Sequence, residues 1–148
     1  MSMFTSFNIS ASGMTAERYR MDIMAENLAN AHTTRTEDGT PYRRKVVTFE
    51  ERPTGTQSFS SFLGAASERI KGQGVRVGKV MEDEWTQMTM VYDPSHPDAD
   101  ENGYVTYPNV NIITEMTNLI DASRAYEANS TAFNASKSIA MKGLEMAQ

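Results

Sequence analysis

Residues 111–147 read "NIITEMTNLIDASRAYEANSTAFNASKSIAMKGLEMA" and carry the most regular pattern in the chain. Along one seam the positions alternate in steps of four and three, which is the spacing of a helix that packs against another helix. No glycine or proline interrupts the stretch before Gly143. The pattern predicts one helix of about 50 Å, at 1.5 Å per residue. The seam positions are Ile112, Met116, Leu119, Ser123, Tyr126, Ser130, Phe133, Lys137, Ala140 and Leu144.

A row of small side chains runs beside this seam and includes Ala132. Small side chains let two helix axes approach closely, so the row indicates a second helix contact. The stretch from Asn129 to Ser136 also carries no charge, whereas a solvated helix face usually carries Glu and Lys. This composition fits either a helix that packs closely against other helices or a hydrated surface to which other molecules must not bind. The row consists of Ala122, Ala125, Ala128, Ala132, Ala135 and Ile139.

A second heptad pattern lies near the N-terminus, in residues 7–29. Its main row has seven-residue spacing, and a second apolar row lies about 200° around the helix. A surface helix of a monomer needs only one apolar row, so two rows predict burial between two neighbours. This helix would be about 33 Å long, so the longer C-terminal helix would overhang it. The rows are Phe7, Met14, Met21 and Leu28, and Ile9, Ala16 and Ile23.

The middle of the chain changes to a two-residue period. β-Branched residues and alternation predict strands over residues 42–51, 74–82 and 87–93. The Ser- and Gly-rich stretch near residues 52–73 is interpreted as a loop insertion, with a short helix near 62–70.

The expected fold class is therefore α+β, with long N- and C-terminal helices that pair as a coiled-coil-like inner layer around a small β-rich middle. The predicted domains are a helical one, residues 1–31 and 109–148, and a β-rich one, residues 32–108.

Composition excludes several functions. The 148 residues have a formal net charge of −5 and contain no cysteine. Nucleic acid is not an expected partner, because phosphate binding needs a dense basic face. Disulfides, thiolate metal sites and a Cys nucleophile are also excluded. No apolar run is long enough to span a bilayer, and the N-terminus lacks the pattern of a cleaved signal peptide.

The motifs that suggest chemistry are incomplete. Asp98, Asp100 and Asn102 match the first half of a calcium loop, but the twelfth position is Asn109 where a Glu is needed. An acidic turn is the better interpretation, and a small calcium-binding module stays an alternative. The chain has two histidines, neither with a second ligand at metal spacing, and no Ser-centred elbow. We therefore expect no enzyme activity, no cofactor, no metal and no small-molecule substrate.

Two stretches resemble a known family. The "NLANAHTT" of residues 27–34, with "PYRRK" at 41–45, resembles the N-terminal signature of bacterial flagellar rod and hook proteins. The stretches at 91–116 and 123–146, "VYDPSHPDADENGYVTYPNVNIITEM" and "SRAYEANSTAFNASKSIAMKGLEM", are similar to the C-type branch of that family, which forms the proximal rod. The long connection with a turn at residues 38–39 favours this branch. Another rod or hook-type axial protein is the alternative.

The resemblance implies a structural subunit of the flagellar basal body. Such proteins form a helical tube in which the terminal helices line an export channel, the β-rich part lies outside, and the assembly transmits motor torque. The implied partners are other rod proteins, further copies of the chain and the export-gate adaptor. The resemblance also implies a basal-body location in the cell envelope and export by the type III apparatus without signal cleavage.

The family signature falls on Asn27, Leu28, Ala29, Asn30 and Thr33. Asn bonds local backbone readily, so both asparagines are expected to end the helix. The predicted assembly interface comprises Phe7, Met14, Met21, Asn27, Leu28, Asn30, Met116, Leu119, Tyr126, Ala132, Phe133, Ala140 and Leu144.

Overall fold

In the computed structural model, which describes residues 3–52 and 73–146, one long helix precedes the β-rich middle of the chain and another follows it. Helix α1 spans Met3–Ala29 and helix α2 spans Ile112–Glu145. The α+β class predicted from the sequence is confirmed. The predicted loop insertion near 52–73 and its short helix lie outside the described residues, except for the two end positions.

The two helices pack antiparallel along most of α1. The rings of Phe7 and Phe133 meet edge to face with centroids 5.0 Å apart. Further along, Gly13 of α1 lies against Asn129, whose Oδ1 would be 2.7 Å from a Cβ at position 13. At the far end, the Asn27 side chain reaches Glu115. Glycine at position 13 therefore allows the helices to approach closely where they cross.

Helix α2 is the longer of the two, with 34 residues against 27 in α1. Since Phe7 lies opposite Phe133, the C-terminal end of α2 projects past the first described residues of α1. Leu144 is 68% exposed there, and Ile139, Met141 and Met146 are exposed as well. The overhang expected from the two sequence patterns is present.

Four strands make two separate antiparallel pairs. Strand β1 spans Lys45–Glu51 and pairs with β2, Val75–Glu82, with an irregularity between Val47 and Phe49. Strand β3 spans Thr89–Tyr92 and pairs with β4, Tyr104–Tyr107. The three predicted strand segments contain β1, β2 and β3. The sequence interpretation missed β4, whose four residues follow directly on a Gly turn.

The acidic stretch 98–103 forms the second part of the connection between β3 and β4. Asp100 Oδ1 accepts hydrogen bonds from the backbone N–H of Asn102 and of Tyr104, at 2.9 and 2.8 Å. Asp98 instead accepts a bond from Thr34 and pairs with Arg35. In the part of the chain that the structure describes, no group of three or more His, Asp or Glu side chains is arranged to hold a metal ion.

Neither α1 nor α2, the helices of the described residues, combines the length and apolar character that a membrane span requires.

Strand β2 begins against α1 at a tight contact. Ser12 Oγ donates to the Ile9 carbonyl at 2.7 Å and accepts from the Val75 N–H at 3.0 Å. Beside it, the Arg52 N–H donates to the Gly74 carbonyl at 2.9 Å, which joins the end of β1 to the start of β2. Gly74 has a φ of +96°, and a Cβ there would lie 2.0 Å from Ser12 Oγ. Only glycine fits this position.

This contact predicts that Gly74→Ala destabilises the fold by about 2–4 kcal/mol, from left-handed backbone strain together with overpacking. Gly39 is the matched control, because its φ is +77° but a Cβ there would meet nothing within 4 Å. Gly39→Ala should therefore cost about 1 kcal/mol, from strain alone. Urea unfolding of both variants measures the difference. If both variants lost the same free energy of unfolding, the contact between Ser12 and the start of β2 would be contradicted.

Candidate functional site

A buried polar site is built around Asn27, in the last turn of α1. This side chain is 1% exposed. Its Nδ2 donates to the Lys45 carbonyl at 2.8 Å and to Glu115 Oε2 at 3.0 Å. Its Oδ1 accepts from the Tyr42 O–H at 2.9 Å and from the Lys45 N–H at 2.8 Å. Every donor and acceptor of the amide is thus used.

Glu115, in the first turn of α2, supplies a negative charge next to Asn27. It is 1% exposed, and its Oε1 lies 2.8 Å from both Nε and Nη2 of Arg44. An unpaired buried carboxylate would be very costly, so the guanidinium is what makes this burial possible. Its position near the N-terminus of α2 also suits a negative charge.

Arg44 extends the site to the β-rich middle. Its Nη1 lies 3.4 Å from Asp83 Oδ2, and its backbone N–H donates to Asn109 Oδ1 at 2.9 Å. The Asn109 Nδ2 then donates to the Asp83 carbonyl at 2.8 Å and to the Thr86 carbonyl at 3.1 Å. We call the connected set the polar hub; it consists of Asn27, Tyr42, Arg44, Asp83, Asn109 and Glu115.

The hub shifts the titration of two of its members. Hydrogen bonds from the side chain and backbone of Thr86 hold the pKa of Asp83 below its ordinary value. Burial raises the pKa of Tyr42 to about 12, with further contributions from the negative charges of Glu26, Glu115 and Glu82. At neutral pH the hub therefore contains an ionised Asp83 and a neutral Tyr42 that donates its proton to Asn27.

Asn30 ends α1 as expected, whereas Asn27 does not. The Asn30 Nδ2 donates to the Glu26 carbonyl at 3.0 Å, and its Oδ1 accepts from Thr33 Oγ1 at 3.1 Å. These bonds satisfy the end of the helix and fix the turn that follows. The expectation that Asn27 has the same local role is wrong, because all its side-chain partners lie outside α1.

The predicted interface residues fall into three groups. Asn27 is buried, and Met116, Ala132 and Leu144 are exposed. The others are half-buried, and of these Phe7 and Phe133 touch across the helix pair. The half-buried group is Phe7, Met14, Met21, Leu28, Asn30, Leu119, Tyr126, Phe133 and Ala140.

Sequence reasoning missed Arg44, Glu115 and Asn109 as parts of a site. One signal was available: Glu115 is a charge four residues before the seam position Leu119, on the face that turns toward α1. A carboxylate in an apolar row suggests a buried partner. Asn109 and Arg44 had no comparable signal, since their partners are distant in sequence.

The hub can position elements but has no reactive group to offer. Its amides and carboxylates bond one another and nearby backbone, and Asn27 has no free donor or acceptor left. Apolar side chains of α2 remain exposed to solvent. Ile113, Met116 and Ile120 are exposed near its start, and the overhang is exposed at its end. This arrangement suits a building block better than a catalyst.

Two family models match the ends of the chain. One, described as "Flagella basal body rod protein", matches residues 7–35. The other, described as "Flagellar basal body rod FlgEFG protein C-terminal", matches residues 101–146. The first range includes most of α1 and the Asn27 signature, and the second includes β4 and α2.

Curated relatives match along the whole chain. A protein of Borreliella burgdorferi is 43% identical over 152 residues, which cover 100% of this chain and 99% of the relative. One of Bacillus subtilis is 45% identical, with 99% of each chain covered. One of Salmonella typhimurium is 38% identical, with 100% of each covered. All three carry the name "Flagellar basal-body rod protein FlgC".

The buried pair predicts strong coupling between Glu115 and Arg44. Glu115→Leu should cost about 3–5 kcal/mol of unfolding free energy, because it leaves a partly buried guanidinium without its main partner. Adding Arg44→Met should recover about 1–3 kcal/mol relative to the sum of the single losses. The exposed pair Arg76–Glu50, 2.9 Å apart, is the control, and its cycle should give less than about 1 kcal/mol. Additive losses at Glu115 and Arg44 would contradict the hub.

The raised pKa of Tyr42 predicts a loss of stability in alkali. Because the neutral phenol is favoured in the folded state, its contribution is complete below pH 10 and is lost as the pH approaches 12. The loss should reach about 2–3 kcal/mol, the free energy that corresponds to raising the phenol pKa to this extent. Urea unfolding between pH 9 and about 12 measures it. Tyr42→Phe should remove this phase, whereas Tyr19→Phe, at an exposed position, should retain it.

Proposed function

The chain belongs to the FlgC family of flagellar basal-body rod proteins, and from that premise we propose that its two helices form part of the wall of the proximal rod. It is a structural subunit and not an enzyme. The observation that carries this function is the similarity to FlgC relatives over the full length of the chain, at 43% and 45% identity.

The fold suits a subunit that works by its shape. The antiparallel pair α1–α2 forms one layer, and the β-rich middle is fixed to its end through the polar hub. A joint of charge-assisted hydrogen bonds has a defined geometry. Torque applied to such a subunit would pass from one layer to the other without a flexible connection between α1 and β1.

The α2 surface supports a wall-forming role for the helices. Ala128, Ala132 and Ala135 of α2 are all exposed. Small neutral side chains allow the helices of adjacent subunits to approach closely. We therefore assign this face to contacts between subunits, and we assign a helical domain at residues 1–31 and 109–148 and a β-rich domain at residues 32–108.

The remaining parts of the proposal concern location and partners. The subunit lies in the rod of the basal body and assembles with other rod components and with copies of itself. We further propose contact with the export-gate adaptor and export through the flagellar type III apparatus without cleavage. The predicted assembly surface joins the α1 and α2 seam residues with Ala132 and Leu144.

The test is Ala132→Leu in a strain that lacks its own copy of the protein. Leucine is a good helix former, so the free subunit should fold normally. In the rod, the larger side chain would separate adjacent helices, and overpacking costs about 1–3 kcal/mol at each contact. We expect the variant to be secreted and folded but to lower motility at least tenfold. The diameter of the swimming halo and the yield of basal bodies measure the effect.

Asn134→Leu is the matched control. Asn134 is also exposed on α2, close to Ala132 along the axis but about 200° around the helix. This variant should keep most of the motility. If Ala132→Leu swims normally, the alanine face is open to solvent in the rod and the assembly assignment is wrong. If the unmodified chain fails to restore motility at all, the rod function itself is contradicted.

A further inference from the structure

Strand β3 has an edge to which none of the other described strands is bonded. It pairs with β4 on one side only, in a sheet of two strands. Edge strands are usually protected against pairing with other chains by a charged residue, a proline or a bulge. The residues of β3, Thr89–Tyr92, are uncharged and exposed, include no proline, and pair with β4 in continuous register. The edge is therefore open to another extended chain.

The hydrogen bonds of the hairpin show which backbone groups of β3 point outward. The Asp93 N–H donates to the Gly103 carbonyl at 2.9 Å, so these two residues extend the β3–β4 ladder as a hydrogen-bonded pair. In an antiparallel ladder such pairs alternate with pairs that are not bonded to each other. The N–H and carbonyl groups of Met90 and Tyr92 therefore point to the free edge. None of the turn and loop bonds between described residues uses them.

The outer edge of β4 is closed at the corresponding place. The Tyr104 N–H donates to Asp100 Oδ1 at 2.8 Å, and its carbonyl accepts the Asp100 N–H at 2.9 Å. The hairpin is also anchored on one face, because Val105 is completely buried. Strands β1 and β2 differ from β3, since both carry charged residues and their pairing contains an irregularity. Strand β3 thus offers the open edge of a fixed hairpin.

Apolar side chains accompany the outward backbone groups. Met90 and Tyr92 lie on the same face of β3, because side chains alternate along a strand. They are 61% and 64% exposed, and the Tyr92 ring packs edge to face on Tyr104, with centroids 5.2 Å apart. Directly opposed residues of two antiparallel strands share a face. Apolar residues at alternate positions of an added strand would therefore cover Met90 and Tyr92.

The charge around β3 specifies the partner further. Positions 80–123 contain no Lys or Arg. At one end of the hairpin lie Asp93 and the exposed Glu101. At the other end lies the exposed Glu84, in a segment that is bonded to the Asn109 side chain just after β4. The salt bridges between described residues involve none of these three carboxylates. Such negative charge attracts and orients a basic partner.

We propose that β3 accepts, antiparallel, an extended segment of a partner protein in which apolar residues alternate with Lys or Arg. Its backbone bonds the outward groups of Met90 and Tyr92, and its apolar side chains cover these two residues. In strand addition, backbone bonds give affinity and alternate side chains give specificity. A second copy of β3 is a poor occupant, because pairing two such edges would bring like charges together. This surface lies outside both helices, so the proposal does not rest on the rod function.

The probe is a fluorescein-labelled peptide of alternating Lys and Val, about as long as β3, and fluorescence anisotropy measures its binding to the unmodified chain. We expect saturable binding that weakens as salt is raised, since exposed charges are screened. A peptide of alternating Glu and Val should bind at least about tenfold more weakly. N-methylation of the Val residues, whose N–H groups face β3, should have a similar effect. N-methylation of the Lys residues, whose N–H groups point away, is the matched control and should keep most of the binding.

Substitutions at Met90 test the same bonds from the side of the protein. Met90→Pro removes the outward N–H but leaves the β3–β4 bonds, and an edge strand tolerates proline there. It should weaken binding of the Lys–Val peptide at least about tenfold. Met90→Ala removes the same side chain and keeps the N–H, so it should weaken binding by no more than about threefold. Urea unfolding checks that both variants fold. If Met90→Pro does not fold, the two N-methylated peptides decide the question.

Each contrary result removes a stated part of the proposal. Absence of binding, or equal weakening by the two N-methylated peptides, would overturn strand addition. Equal binding of the Glu–Val and Lys–Val peptides would overturn the basic partner. If the unmodified chain sediments as a dimer that Met90→Pro returns to the 16.5 kDa of one chain, a second copy occupies the edge and the proposal is wrong. The motility of Ala132→Leu is a separate measurement, so these outcomes leave the rod function intact.

Discussion

The side-chain amide of Asn27 is the interaction on which the rest of the structure depends. It is bonded on all sides, to the Lys45 backbone, to Tyr42 and to Glu115. Those partners belong to the start of β1, to the segment before it and to the start of α2. One amide thus fixes where the chain leaves the helical layer and where it returns to it. Losing it would leave several buried polar groups unsatisfied at once, each at about 1–3 kcal/mol.

The elements were largely predictable from the sequence, and the hub was not. Heptad spacing in residues 7–29 and 111–147 predicted both helices, because periodicity reflects local packing. β4 was missed since its four residues leave too little pattern. The signature asparagines were found, but Asn27 was assigned a local role that only Asn30 has. Its actual partners are 15 to 88 positions away, and no single-sequence pattern encodes such pairings.

The interior and the exterior of this subunit follow different rules. Inside, Glu115 is buried against the Arg44 guanidinium, and removing either side chain would leave the charge of the other without its main partner. Outside, α2 leaves alanines and the overhang without any partner from the described part of its own fold. A subunit whose polar hub is paired within the chain, while part of α2 is exposed, gains further stability from contacts with its neighbours. Assembly supplies the remaining contacts.

The hydrogen bond from the Arg52 N–H to the Gly74 carbonyl has an evolutionary implication. It closes the sheet at the point where positions 53–72 begin and end, and the Ser12 contact fixes the same point to α1. Changes in the length of that segment therefore do not have to propagate into the β1–β2 register, because the residues that flank it stay joined. Within the fold, this is where insertions, deletions or a grafted tag can be accepted while the helical layer stays constant.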